Sequence, residues 1–220
     1  MSNNLSSGEV VELKTVIVGE SDVGKTTLCL RFCHGKTQPV NPTIGASFLQ
    51  KRVEIVEYDE NDSTATANKT TQIVLQLWDT AGQERFRSMS PMYFRNAKAA
   101  LIVFDSTKEC SIQKLQRWHQ DLLSYADQGV VVALVANKSD LRKDDSPNLS
   151  AAIEFGQSIG AEFYLTSAFE GKNVDDAFIG ITKNALELHR KNRQSIENAL
   201  KSQRLQMEGS NMKSKSSSCC

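Results

Sequence analysis

The most informative segment of this sequence is Gly19-Glu20-Ser21-Asp22-Val23-Gly24-Lys25-Thr26-Thr27. It follows an apolar run at residues 16–18 and precedes residues 28–32, whose apolar positions are compatible with a helix. The order is therefore strand, glycine-containing loop and helix, with the spacing G-x-x-x-x-G-K-[ST]. A simple turn is the plainer interpretation of Gly-Lys alone, but the full spacing in this context favours phosphate binding.

This spacing is typical of a loop that binds a polyphosphate. Glycines let backbone N–H groups turn inward, and the following helix adds the partial positive charge of its N-terminus. We expect Lys25 to reach the β- and γ-phosphates and the Thr26 hydroxyl to ligate Mg²⁺. The residues predicted to contact the nucleotide here are Gly19, Ser21, Asp22, Val23, Gly24, Lys25, Thr26 and Thr27.

A second motif predicts the base. Asn137-Lys138-Ser139-Asp140 follows a predicted strand, and the Asp140 carboxylate can accept from both N1–H and the N2 amino group of guanine. Adenine offers no such pair of donors. We expect Asn137 to bridge loops, the Lys138 stem to lie along the base, and the Ala168 N–H of Thr166-Ser167-Ala168 to donate to the guanine carbonyl. A surface turn is the alternative for this motif alone. Its position after the glycine loop favours guanine.

Further residues predict hydrolysis of the nucleotide. Asp79, at a strand end, suits the carboxylate that holds Mg²⁺ through water, and Thr43 is a second candidate hydroxyl ligand. The Gly82 N–H can meet the γ-phosphate, and Gln83 can orient the attacking water. Each signal is weak alone. Together they predict Gln83, Lys25 and Thr43 as catalytic residues, and Thr26, Thr43 and Asp79 as metal ligands.

Strand and helix patterns alternate along the chain. Strands are predicted at residues 13–19, 48–58, 71–78, 99–105, 130–137 and 163–166, and helices at 25–34, 112–125, 151–159 and from 174 onward. This alternation predicts an α/β fold with a mostly parallel, six-stranded sheet and helices on both faces. The carboxyl ends of the strands would carry the site.

The flanking segments differ in composition from this domain, which we predict to span residues 12–190. Residues 1–11 are a polar lead-in and are predicted to be disordered. Residues 59–70 are longer than a hairpin needs and are interpreted as a flexible insertion. Residues 191–220 form a basic tail that ends in Cys219 and Cys220, and residues 209–220 have the composition of a linker.

Composition excludes some classes of function. The formal charge is zero, so no bulk attraction to nucleic acid is implied, and 40% hydrophobic residues can fill a core. Five cysteines, an odd number, do not indicate a disulfide framework. A zinc site at Cys29, Cys33 and His34 is rejected, because such residues on one short helix are far more often ordinary core and surface residues than metal ligands. No signal peptide or membrane-spanning run is evident, so a cytosolic location is expected.

The complete set of motifs resembles the Ras superfamily of small GTPases over residues 14–185. Trp78-Asp79-Thr80-Ala81-Gly82-Gln83-Glu84-Arg85-Phe86 looks like the Rab family. Pro42-Thr43-Ile44-Gly45-Ala46-Ser47-Phe48 and Ser90-Pro91-Met92-Tyr93 resemble its endosomal branch. The resemblance implies a small G domain with the P-loop NTPase fold. It further implies a monomer that cycles between GTP and GDP and recruits effectors to regulate vesicle traffic.

The resemblance also implies partners and a location. The partners are an activating protein, an exchange factor, a prenyl carrier of the GDI or escort type, and effectors that contact Phe48, Trp78 and Tyr93, although ordinary core is the alternative for those aromatics. The terminal Cys219-Cys220 resembles a doubly geranylgeranylated end, and two chains give stable anchoring. The expected location is the cytoplasmic face of endomembranes, endosomal in particular, with a cytosolic pool.

Hydrolysis is expected to be slow without the activating protein, because no arginine is placed to act in cis. Arg85 is the nearest candidate and is interpreted as partner-facing. In this family the activating protein often supplies its own glutamine, which makes Gln83 less decisive.

This sequence departs from the family at two positions near the base. Thr37 stands where an aromatic residue normally covers guanine, and Phe169 replaces the usual lysine after Ser-Ala. We predict that Phe169 supplies the missing stacking; packing into the adjacent helix or exposure to solvent is the alternative. Two further departures are the loop from Thr26 to Thr43, which is one residue shorter than usual, and the insertion at residues 59–70. Two other functions stay open, a GTP-binding scaffold with little turnover and a P-loop kinase of small molecules.

Overall fold

The computed structural model describes residues 10–57, 69–83 and 90–215. The chain divides into two compact units, Met1–Ala185 and Leu186–Cys220. The strands are β1 (Val10–Gly19), β2 (Ala46–Glu57), β3 (Lys69–Thr80), β4 (Ala99–Asp105), β5 (Val131–Asn137) and β6 (Glu162–Leu165). The helices are α1 (Lys25–His34), α2 (Ser90–Phe94), α3 (Ile112–Tyr125), α4 (Ser150–Ser158) and α5 (Val174–Lys215).

The strands form one six-stranded sheet in the order β2-β3-β1-β4-β5-β6. Only the edge strand β2 is antiparallel, and it pairs with β3 along its whole length, while every other pair is parallel. Parallel pairing requires a crossover between strands, and here helices provide the crossovers. The predicted α/β fold is confirmed.

Alternation along the central strands places helices on both faces of the sheet. Val16 and Val18 of β1 join a buried cluster with side chains of β4, β5, α2, α3 and α4. Ile17 lies between them in the sequence, is fully buried, and faces the other way. On that second face the Phe32 ring of α1 stacks on Phe178 of α5, with centroids 4.2 Å apart. Each central strand is therefore buried on both sides, which explains its nearly continuous apolar sequence.

The five parallel strands end at one edge of the sheet. Their ends bring together Gly19, Asp79 and Thr80, Asp105, Asn137 and the residues after Leu165. Because the helices on either face begin just beyond this edge, the edge is the position where such sheets bind ligands.

Two strand boundaries correct the sequence-based expectation. Val10 and Val11 lie in the predicted disordered lead-in, but the structure places them in β1, where they pair with Gln72 and Ile73. Lys69 and Thr70 fall within the predicted insertion, but they lie in β3 and pair with Glu57 and Val56. In both places a long partner strand supplies backbone hydrogen bonds beyond the apolar run that the sequence displays. The remainder of the predicted insertion lies outside the described residues.

The C-terminal helix continues much further than its apolar pattern. Helix α5 extends to Lys215, so the prediction of a linker is wrong for residues 209–215. Residues 186–201 are rich in helix-forming side chains and include Glu187–Lys191 and Arg193–Glu197 ion pairs, which support a helix at that spacing. No helix among the described residues has the length and apolar character needed to cross a membrane.

Candidate functional site

The glycine loop between β1 and α1 needs its glycines for space as well as conformation. Gly24 has φ +92°, and a Cβ there would lie 2.4 Å from Nδ2 of Asn137. Gly19 has φ +140°, and a Cβ there would lie 2.1 Å from the carbonyl oxygen of Val103. Both are conformations that other residues rarely adopt. The two glycines let the loop lie close to β4 and β5.

Lys25 points into this loop. It is 6% exposed, and its ammonium donates to the carbonyl oxygens of Gly19 (2.9 Å) and Glu20 (2.7 Å). Burial lowers the pKa of Lys25 to about 8, although the carboxylate of Asp79 opposes that shift. A buried cation at a helix N-terminus favours the binding of an anion at this position. Lys25 therefore lies inside the loop, and its role as a phosphate ligand stays a prediction.

Three oxygen-bearing side chains meet beside the loop. Thr26 Oγ1 donates to Asp79 Oδ2 at 2.6 Å and lies 3.0 Å from Thr43 Oγ1, which is itself 3.4 Å from Asp79 Oδ2. Burial raises the pKa of Asp79, while the hydrogen bond from Thr26 and the charge of Lys25 lower it. Asp79 Oδ1 is buried without a hydrogen-bond partner.

A hard divalent cation prefers oxygen ligands of this kind, so the three side chains fit the expected Mg²⁺. In the part of the chain that the structure describes, no group of three His, Cys, Asp or Glu side chains offers another metal site.

A cavity of about 220 Å³ opens next to these oxygens. Its walls include Gly82 and Gln83, and residues 40–43 of the loop after α1. Gly82 touches the phosphate loop so closely that a Cβ would lie 2.4 Å from the backbone N of Ser21. The segments that carry Thr43 and Gln83 therefore face the same space as Lys25. Arg85 lies outside the described residues.

Asn137 connects the ends of the site. Its Nδ2 donates to the Val23 carbonyl at 2.9 Å, and its Oδ1 accepts from Thr166 Oγ1 and from the Ala168 N–H, both at 3.1 Å. Asn137 bridges loops as expected. The Ala168 N–H, expected to be available for the base, is instead directed at Asn137, because both sit at adjacent strand ends.

The pocket expected for the base has a volume of about 310 Å³, within the range of small-ligand sites. It shares Gly24 and Thr27 with the phosphate cavity, so the two form one cleft. Its remaining lining residues are Asn137, Lys138, Asp140, Leu141, Ala168 and Phe169. Asp140 Oδ1 accepts from Ser167 Oγ at 2.6 Å, which fixes the orientation of the carboxylate.

Two of the apolar side chains that line this pocket reach into solvent. Phe169 is 71% exposed and Leu141 is 60% exposed, which is unusual for such large side chains. Thr37 is half-buried and is not among the residues that line the pocket. The loop after α1 therefore contributes nothing aromatic here, and Phe169 is the aromatic residue at the pocket.

Lys138 is held along the pocket by two carboxylates. Its ammonium lies 3.0 Å from Asp105 Oδ2 and 3.5 Å from Asp22 Oδ2. Burial alone would raise the pKa of Asp105, but hydrogen bonds from Thr107 and the Lys138 ammonium hold that pKa below its usual range. Lys138 also lines the pocket, so these carboxylates fix the end of a lining side chain.

Sequence reasoning missed three residues at this site, namely Asp105, Leu141 and Arg31. Asp105 carried a usable signal, since it ends a buried strand at the ligand edge. Leu141 follows the guanine motif directly. Arg31 gave no signal, because two of the carbonyl groups to which it donates, those of Ala168 and Phe169, lie in a distant part of the sequence.

The three aromatic residues predicted for a partner-binding face form a row. The Phe48 and Trp78 rings are 5.5 Å apart at 65°, and the Trp78 and Tyr93 rings are 5.9 Å apart. Phe48 is half exposed and Tyr93 is buried, while the Lys14 ammonium lies 4.6 Å from the Trp78 ring. The row thus runs from the core to the surface. Cys219 and Cys220 lie outside the described residues.

Comparisons with known proteins agree with this geometry. The model of the Ras family matches residues 14–187. The chain is 34% identical over 183 residues to the Ras-related protein Rab-21 of Bos taurus, covering 83% of this chain and 77% of that protein. It is 37% identical over 187 residues to the GTP-binding protein ypt5 of Schizosaccharomyces pombe, covering 83% of both. It is 37% identical over 173 residues to the Ras-related protein Rab-31 of Rattus norvegicus, covering 78% of this chain and 82% of that protein.

The fold and the site define a nucleotide-binding protein of the P-loop class. The chain belongs to the Ras family and, within it, to the Rab small GTPases. It is therefore a GTP hydrolase, of a class that acts in vesicle trafficking.

Proposed function

We propose that this protein is a membrane-attached switch that binds GTP, hydrolyses it to GDP, and recruits effectors only in one of the two states. The observation that carries the proposal is the meeting of Thr26, Thr43 and Asp79. Thr43 lies in a long loop without regular structure, while Thr26 and Asp79 lie in a helix and a strand. A ligand that engages all three orders the loop, and its loss releases it.

The chain's own residues account for binding and positioning of the phosphates. The Lys25 ammonium exchanges the carbonyls of Gly19 and Glu20 for phosphate oxygens, and the loop N–H groups hold the rest of the chain of phosphates. Mg²⁺, held by Thr26, Thr43 and Asp79, would neutralise charge on the phosphates. Gly82 and Gln83 line the phosphate cavity, where an N–H and an amide can meet the terminal phosphate and a water molecule.

Guanine selection in this proposal belongs to the second half of the cleft. The Asp140 carboxylate accepts from the two guanine donors, and Ser167 keeps it in place. Lys138 and Phe169 cover the faces of the base. The Ala168 N–H reaches the guanine carbonyl by sharing or leaving Asn137, which costs little because that hydrogen bond is neutral.

Membrane attachment in this proposal comes from lipid chains on Cys219 and Cys220. One lipid chain binds a bilayer only marginally and two bind it stably. The tail adds basic side chains, each worth about 1 kcal/mol near an anionic surface. The partners we propose are an activating protein, an exchange factor, a prenyl carrier, and effectors that contact Phe48, Trp78 and Tyr93 on an endosomal membrane.

Single-turnover hydrolysis of GTP tests the switch. The purified chain should bind a fluorescent GTP analogue in a Mg²⁺-dependent way and release phosphate without any acceptor. Gln83→Leu should bind normally and hydrolyse more slowly, and Thr26→Asn should weaken Mg²⁺-dependent GTP binding. Binding without phosphate release in the wild-type chain, even with activating proteins, would favour the scaffold. Release that depends on a small-molecule acceptor would favour the kinase.

Membrane attachment needs its own test. A tagged Cys219→Ser, Cys220→Ser double variant should move from the membrane fraction to the soluble fraction of cells. The matched control is Cys110→Ser, since Cys110 lies in the G domain next to α3. Persistent membrane association of the double variant would point to a partner protein instead of a lipid anchor.

A further inference from the structure

Arg31 connects two segments that the nucleotide also touches. It lies in the last turn of α1, and its Nε donates to the Ala168 carbonyl at 2.9 Å. One terminal nitrogen donates to the neighbouring Phe169 carbonyl, and the other donates to the Gly35 carbonyl at 2.9 Å. One guanidinium thus holds three backbone carbonyls, two from the loop at the base pocket and one from the end of α1.

The contact at Gly35 is reinforced from the other side. The Gly35 N–H donates to the Arg31 carbonyl at 2.8 Å, so Arg31 bonds to both polar groups of that residue. Gly35 has φ +70° and caps α1, and the chain that leaves it is the loop with Thr43. The start of that loop is therefore fixed to the same side chain as the loop with Phe169.

The stem of Arg31 also packs under the base-pocket loop. Gly171 has φ +85°, and a Cβ there would lie 3.5 Å from Arg31 Cδ. Gly171 N–H donates to the Ser167 carbonyl at 2.8 Å, which closes the turn over the arginine. The turn and the arginine therefore form one packed unit.

We propose that Arg31 is a positioning residue that links the base-pocket loop to the loop carrying Thr43, so that the two loosen together when the nucleotide leaves. The proposal rests on the proposed function, because it concerns release of GDP from that site. Arginine suits the role since its planar group presents several donors in fixed directions, whereas a lysine ammonium is a point charge. Arg31 itself is absent from the residues that line both pockets.

The first experiment measures release of a fluorescent GDP analogue from Arg31→Gln and Arg31→Lys. Loss of the three contacts should speed release about tenfold in Arg31→Gln, which corresponds to about 1.4 kcal/mol. Arg31→Lys should show a smaller increase in the release rate. Its ammonium can keep part of these contacts but cannot hold all three carbonyls. The control is Arg52→Gln, which removes an exposed arginine of β2. Melting temperatures are measured alongside, since a merely structural loss would lower stability and leave release unchanged.

The second experiment tests the link between the loops. No atom lies within 4 Å of the position of a Cβ at Gly35, so Gly35→Ala acts on the backbone alone. Gly160→Ala is the matched control, with φ +68° at the end of α4 and an equally open surrounding. If Arg31 transmits the disturbance, Gly35→Ala should speed GDP release several-fold, and Gly160→Ala should not.

The double variant completes the test. Arg31→Gln with Gly35→Ala should release GDP no faster than Arg31→Gln alone, because the link is already broken. Unchanged GDP release in both Arg31 variants would overturn the proposal. Equal acceleration of release by Gly35→Ala and Gly160→Ala would also overturn it. So would a double variant whose acceleration equals the product of the accelerations in the two single variants. Failure of the wild-type chain to retain GDP would instead refute the proposed function.

Discussion

The two ends of the cleft are built in different ways. At the phosphate end, Lys25 is 6% exposed and Asp79 is 1% exposed, and both bind to neighbouring polar groups. At the base end, Phe169 and Leu141 are 71% and 60% exposed and stand on loops. The phosphate end is a buried network of polar groups. The base end is lined by exposed apolar side chains, with the Asp140 carboxylate oriented by Ser167.

The difference follows from which part of the fold supplies each end. Gly19 and Asp79 lie in neighbouring parallel strands, whose backbone ladder fixes their positions. Ala168 and Phe169 lie beyond β6, a strand of four residues at the sheet edge. The side chains of Asn137 and Arg31 hydrogen-bond to the backbone of these two residues. Backbone pairing supports the phosphate end, and side-chain hydrogen bonds support the base end. We therefore expect substitutions to have their largest effects where the two ends meet.

Gly24 and Thr27 line both cavities and mark that meeting point. Gly24→Ala should lower the affinity for GDP by about a hundredfold or more, because positive φ costs about 1–3 kcal/mol and the Cβ also displaces Asn137. Equilibrium binding of a fluorescent GDP analogue measures the loss. Gly160→Ala carries similar backbone strain in open space and should bind normally. Equal binding by the two variants would show that the close contact with Asn137 is unimportant.

Asp140 tests the polar part of the base end. Asp140→Asn should weaken GTP binding by roughly 10- to 150-fold, since a hydrogen bond to a charged group contributes about 1.5–3 kcal/mol. The same variant should favour xanthosine nucleotides, because its amide can donate to the added carbonyl. Competition between the two nucleotides measures the preference, with exposed Asp144→Asn as the control. A retained preference for guanine would remove Asp140 as the selecting residue.

Phe169 tests the apolar part. Phe169→Ala should speed GDP release by about ten- to a hundredfold, because stacking of a base on an aromatic ring is worth about 1–3 kcal/mol. Leu141→Ala, which shortens the other exposed side chain at the pocket, should have a smaller effect. Restoring the usual residues in a Thr37→Phe, Phe169→Lys double variant should return release to near the wild-type rate. Unchanged release in Phe169→Ala would reject the compensation.

Thr43 should give the smallest effect. Thr43→Ala removes a hydroxyl that lies 3.4 Å from Asp79 Oδ2, whereas the Thr26 hydroxyl lies 2.6 Å from the same oxygen. Because the Thr43 contact is long, we expect it to contribute only about 0.5–1.5 kcal/mol. The Mg²⁺ concentration that half-saturates retention of a GTP analogue should therefore rise by roughly 2- to 12-fold. Thr37→Ala, in the same loop but away from both cavities, is the control. The same rise in both variants would mean that the whole loop matters and not the hydroxyl.

Much of this protein follows from the sequence by itself. The alternation of apolar strands and amphipathic helices indicates the sheet, because each pattern reports the burial of nearby residues. The loop from Gly19 to Thr27 and the motif at Asn137 are informative for the same reason. Their chemistry needs particular residues at short, fixed spacing, which a linear sequence displays directly.

The support of the cleft could not be predicted from local sequence patterns, because it depends on contacts between distant residues. Arg31 and Ala168 are separated by 137 positions, so no local pattern reports their contact. The pairing of Lys138 with Asp105 likewise depends on β4 and β5 being neighbours. The extent of β1 back to Val10 was set by its partner strand and not by its own composition. Such contacts depend on which elements become neighbours in space, and this information is spread over the whole chain.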